Sequence, residues 1–105
     1  MFVQIRTDNQ ILSDAGANER LEQRVREKLS RFEKRLTSVE VHVEDVNGQK
    51  GGSADKRVSL EARPTGHQPI AVHAEADRVD TAVTAAATKA NRALDHLFGK
   101  LADRH

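Results

Sequence analysis

Residues 19–44 read ERLEQRVREKLSRFEKRLTSVEVHVE, and within them the apolar period changes. Leu21, Val25, Leu29, Phe32 and Leu36 recur at steps of three and four, the spacing of one face of a helix, and Asn18 is a capping residue for a helix beginning at Glu19. From Val39 the step becomes two: Val39, Val41 and Val43 alternate with Glu40, His42 and Glu44, the pattern of a strand with one face buried. A helix feeding directly into a half-buried strand fixes the frame for the rest of the chain.

Before this stretch, Phe2 to Thr7 is a short β-branched and aromatic run closed by Asp8, Asn9 and Gln10, hence a first strand and a turn. After it, Val46–Asp55 (VNGQKGGSAD) is too poor in apolar residues to pack and reads as a hairpin connection. Val58, Leu60 and Ala62 then alternate with Ser59, Glu61 and Arg63 in a strand that ends at Pro64, and Thr65 to Gln68 form a turn. Ile70, Val72 and Ala74 line one face of a fourth strand, with Ala71, His73 and Glu75 on the other. Asp77 or its neighbour caps a long second helix, with Val79, Val83, Ala86, Ala90, Leu94, Leu97 and Leu101 as its inner stripe. The order is βαβββα. Each strand has one apolar face and each helix one apolar stripe, so the predicted class is α+β, a four-stranded sheet with two helices packed on one face and the other face in water.

Cations are sorted on these helices. On a wheel with Leu21 at zero, the apolar residues of the first helix lie between roughly 0° and 80°, Arg20, Arg24, Lys28, Arg31 and Arg35 between roughly 260° and 340°, and Glu19, Glu22 and Glu33 between roughly 100° and 160°. With Val79 at zero, Arg78, Lys89, Arg92, His96 and Lys100 fall between roughly 220° and 300°, and Asp80 and Asp95 near 100° to 160°. The same flank is basic in both helices, and the two flanks are expected to merge into a continuous cationic surface suited to a phosphate backbone. The competing reading is a pair of ordinary solvated faces with i,i+4 pairs such as Glu27 with Arg31.

Composition narrows the alternatives. The chain has 105 residues with 17 Lys plus Arg against 16 Asp plus Glu, a net charge of +1, so any basic patch is local. That length is expected to make one domain, residues 1–105, too small for a deep substrate cavity. The absence of cysteine excludes disulfides, a thiolate nucleophile and cysteine-ligated zinc, and fits a reducing compartment. No apolar run approaches the roughly 18 residues of a membrane span, and a cytoplasmic protein with no membrane contact is expected.

Catalytic chemistry is poorly supplied. His42 and His73 could share the exposed side of the sheet, but strand histidines without carboxylate or cysteine partners at ligand spacing are usually solvated. Glu40, Glu44, Glu61 and Glu75 also alternate onto exposed strand positions, where Arg63 is the expected cross-strand partner. The glycines at 48, 51 and 52 have no helix after them to complete a phosphate-binding loop, and no serine sits in a nucleophile motif. No enzyme, cofactor, metal or small-molecule substrate is expected.

Taken together, DKRVSLEARPTGHQPIAVHAEADRVDTAVTAAATKANRALDHLFGKL (Asp55–Leu101), the opening MFVQIRTDNQI and the passage RVREKLSRFEKRLTSVEVHVED resemble the ribosome hibernation promoting factors and ribosome-associated inhibitors, also described as sigma-54 modulation proteins. The resemblance covers essentially the whole chain. It implies a fold similar to the double-stranded RNA-binding fold with an added strand, and a translation inhibitor whose two basic helices occupy the small ribosomal subunit where messenger and transfer RNA would sit. It further implies that Arg24, Lys28, Arg31 and Arg35, with Lys89, Arg92, His96 and Lys100, face 16S ribosomal RNA, and that the chain is the short form, a monomer off the ribosome. Asp95 and Asp103 are interposed late in the second helix, interrupting its basic flank or lying beside it. The only aromatic residues are three Phe, so recognition is expected to go through backbone and shape. The other reading the residues leave open is a protein-interaction or general RNA-binding module of the same fold, without ribosome silencing.

Overall fold

A computed structural model describes residues 1–7, 15–45 and 56–102. The expected turn after the first strand and the connection at 46–55 lie outside these residues, as do Asp103 and the side chains of Lys100 and Leu101. The elements run β1 (Phe2–Thr7), α1 (Ala15–Lys28), a 3₁₀ turn (Ser30–Arg35), β2 (Leu36–Asp45), β3 (Lys56–Pro64), β4 (Ile70–Ala76) and α2 (Val79–Ala102). The sheet order is β1-β2-β3-β4, with β1 parallel to β2 and the remaining pairs antiparallel. The parallel pair requires a crossover, which α1 supplies, and both helices pack on the same sheet face.

One cluster of buried side chains joins the layers. Val3, Val39, Val41, Val43, Val58, Leu60, Ala62 and Ala74 rise from the sheet to meet Leu21, Val25 and Leu29 of α1 and Val83, Ala86, Ala90 and Leu94 of α2. The alternation in β2, β3 and β4 is as the sequence predicts. The second helix also buries Ala82, Ala87 and Phe98, which its predicted stripe leaves out. Its small residues let a helix of 24 residues lie close to the pleat.

The first helix departs from expectation at both ends. It begins at Ala15 rather than Glu19, so Asn18 is inside the helix and not its cap, and among the described residues the buried Oδ1 of Asn18 has no hydrogen-bond partner. It also ends at Lys28, short of Leu36. Leu29 N donates to Val25 O at 3.0 Å, an α-helical bond, whereas Phe32 N donates to Leu29 O at 3.0 Å, three residues back. Leu29 itself sits at φ −108°, ψ 16°, outside α geometry. The tighter turn keeps Phe32 and Leu36 buried, and Leu36 becomes the first residue of β2. Spacings of three and four suit either helix type, so the apolar stripe cannot tell where one gives way to the other.

Candidate nucleic-acid interface

The charged side chains are positioned by the direction of the two helices. Contacts between them advance in step: Arg24 Nη1 donates to Thr84 Oγ1 at 3.3 Å, Asn91 Nδ2 to the Lys28 carbonyl at 2.6 Å, Arg31 Nη2 to Asp95 Oδ1 at 2.7 Å, and Phe32 stacks on Phe98 at 5.7 Å. The helices therefore run parallel, and like flanks of two parallel helices point the same way. The basic flank of α1 consequently faces α2, where it meets the flank that carries Asp80, Thr84, Asn91 and Asp95. The opposite flank of α1 is turned towards β1, where Arg26 bonds Glu22 at 3.1 Å and the Met1 carbonyl at 3.0 Å.

This corrects the expectation that the two basic flanks merge. Lys89 reaches down the far side of α2, its Nζ donating to the His73 carbonyl of β4 at 2.8 Å. Arg92 and His96 are exposed, and Arg78, at the N-cap position, has its Nε 3.4 Å from Asp80. The cations thus form two rows separated by the ridge of α2: an inner row along the seam of Arg20, Arg24, Lys28, Arg31 and Arg35, all exposed, and an outer row of Arg78, Lys89, Arg92 and His96.

Within the inner row the environments differ. The Arg31–Asp95 pair is more than half exposed on both sides, with side-chain accessibilities of 61% and 57%, so it adds little stability but cancels one positive charge in the seam. The Glu27–Arg31 pair of the competing reading is not formed, since α1 stops at Lys28, and an i,i+4 pair that does form among the described residues is Glu22–Arg26. Arg35 stacks its guanidinium 4.4 Å from the centre of the Phe98 ring, and Arg31 lies 5.0 Å from that of Phe32. Phe98 is the member of this cluster that sequence reasoning misses, although it falls at roughly 100° on the wheel, at the border of the inner stripe. At the other end of the seam Arg24, Asp80, Thr81, Thr84 and Ala85 line an open depression of about 340 Å³.

The uncovered sheet face offers less. His42 and His73 do share it, each paired in register with Ser59 between them, but no cluster of three or more metal-ligating side chains occurs among the described residues. Arg63 pairs with Glu61 of its own strand at 2.8 Å, and a cross-strand pair among the described residues is Arg57–Glu75 at 3.8 Å. Phe2 is the one large apolar side chain exposed on this face among the described residues, with 62% of its surface accessible.

Comparison with known proteins agrees with this architecture. The N-terminal domain of Protein Y from Thermus thermophilus superposes with a TM-score of 0.63 at 16% identity, over 92% of this chain and 99% of that one. A ribosomal subunit interface protein from Coxiella burnetii gives 0.68 at 18% identity, over 94% and 99%. Among curated proteins none matches by sequence. The sequence profile described as Sigma 54 modulation protein / S30EA ribosomal protein matches residues 13–102. That match takes in both helices, all three antiparallel strands and every candidate contact residue, and the chain belongs to the Sigma 54 modulation protein / S30EA ribosomal protein family.

Proposed function

We propose that this chain is a ribosome-associated translation inhibitor of the hibernation type, which seats its helical face on 16S ribosomal RNA of the small subunit and fills the space needed by messenger and transfer RNA. The family and the subunit-interface name of the Coxiella burnetii relative support the ribosome as partner. The observation that carries the mode of binding is the inner row, in which five cationic side chains are exposed along one line of the helical layer. Phosphate contacts of that kind give affinity without sequence readout, and occlusion needs no bond to be made or broken. The protein acts in the cytoplasm as a monomer off the ribosome, without cofactor or substrate; no described helix is long and apolar enough to cross a membrane.

The test is displacement. Adding the protein to purified small subunits carrying labelled messenger and initiator transfer RNA should release the transfer RNA at near-stoichiometric ratios; retention of the transfer RNA at saturating protein would overturn steric silencing.

A second reading, a protein-interaction module using the open sheet face, is favoured by the exposed Phe2. Binding through that mixed face is nearly insensitive to salt, whereas binding through the inner row weakens steeply as salt is added.

A further inference from the structure

The structure assigns to Arg35 a second role within the proposed interface: it stacks an unpaired RNA nucleobase at the pole of the molecule where the 3₁₀ turn, the end of α2 and the β3–β4 turn converge. This rests on the ribosome-binding reading and adds a base contact to what is otherwise backbone recognition.

Arg35 differs from its neighbours in how it is held. Its guanidinium carbon lies over the Phe98 ring, 4.4 Å from the ring centre, so an aromatic ring covers one side of the group, and the residue itself is exposed. Phe98 cannot move easily, because it is buried to 9% accessibility, stacks on Phe32 at 5.7 Å and receives His67 edge-on at 5.8 Å. The backbone of the same residue is also fixed, since the Arg35 carbonyl accepts from Thr65 N at 2.9 Å. Among the described residues no carboxylate pairs with Arg35, in contrast to Arg31, which Asp95 neutralises.

A guanidinium backed by a buried ring on an otherwise exposed residue is a stacking platform. Arginine planes accept unstacked bases much as aromatic rings do, and a side chain already confined by Phe98 loses less conformational freedom on binding. A paired base in an A-form helix has both faces occupied, so the ligand class is a bulged, looped or single-stranded nucleotide. His67 is placed beside the platform by a tight turn in which His67 N donates to Pro64 O at 3.2 Å and Gly66 takes φ +79°, a conformation that L side chains rarely adopt. Its exposed imidazole is positioned to bond the edge or the phosphate of the same nucleotide.

The experiment probes base reactivity to dimethyl sulfate and carbodiimide on purified small subunits, with wild type, Arg35→Lys and Phe98→Leu. Wild type should protect at least one unpaired base that Arg35→Lys, which keeps the charge but has no plane, leaves as reactive as in free subunits. The remaining protections and the salt slope should be unchanged, and affinity should fall by roughly five- to tenfold, the loss of one stacking contact. Phe98→Leu, which removes the backing ring while keeping an apolar core residue, should lose the same protection. Identical protections with Arg35→Lys and wild type would overturn the stacking role while leaving ribosome binding intact. Failure of wild type to bind small subunits at all would overturn both.

Discussion

The inner and outer basic rows look alike on a helical wheel and differ once the helices are packed. The inner row lies in the seam, beside the acidic and polar flank of α2, and two of its cations rest on aromatic rings. The outer row hangs over the β4 edge, where Lys89 bonds a strand carbonyl. A lysine over an unpaired edge blunts strand-to-strand association, so that contact has a structural reason independent of RNA. Charge periodicity identifies cations that share a helix flank; the packing of that flank decides which of them remain available to a ligand.

The largest effect should come from the clasp that holds the seam together. Phe32 is buried to 5% accessibility and stacks on Phe98, so Phe32→Ala should cost roughly 3–5 kcal/mol. Chemical denaturation measures this, and a loss below about 1 kcal/mol would mean that the two helices are held without the aromatic contact. Next in size is the inner row itself. Replacing Arg24, Lys28, Arg31 and Arg35 together by Gln should weaken small-subunit binding on the order of a hundredfold or more and make the salt slope shallower by about three units. The fold should survive, because these side chains are exposed, and a melting temperature within a few degrees of wild type is the control.

The outer row should matter less. Substituting Gln for Lys89, Arg92 and His96 should weaken binding by roughly tenfold at most, since one of the three is already engaged with β4. A larger loss than the inner-row variant gives would reverse the comparison. The smallest effect is a gain: Asp95→Asn releases Arg31 from its 2.7 Å ion pair, and affinity at low salt should rise a few-fold while stability falls by only a few tenths of a kcal/mol. No gain in a filter-binding titration would mean that Arg31 lies outside the contact surface.

The strands were legible in the sequence because their signal is strong and local: Val39, Val41 and Val43, then Val58, Leu60 and Ala62, alternate with polar residues, and the structure buries every one of them. Two features were not legible from such local patterns. The end of α1 was hidden because Leu29, Phe32 and Leu36 are spaced for either an α-helix or a 3₁₀ turn. The separation of the basic rows was hidden because a wheel represents one helix in isolation. The strand order does contain it: β4 runs parallel to β2, each helix returns antiparallel to the strand before it, and α1 and α2 must then point the same way. The partner of Arg35 needed tertiary structure outright, since Phe98 is 63 residues away in the chain. The distances within the seam could not be read from sequence at all.

Co-sedimentation with purified small subunits across a salt series tests the central claim most directly, with wild type and the inner-row variant run side by side. The account predicts that wild type travels with the subunits at low salt and is released steeply as salt rises, with a log–log slope of about −3 or steeper, and that the inner-row variant stays at the top of the gradient. Wild type that remains bound with little dependence on salt, or an inner-row variant that sediments as wild type does, would contradict it.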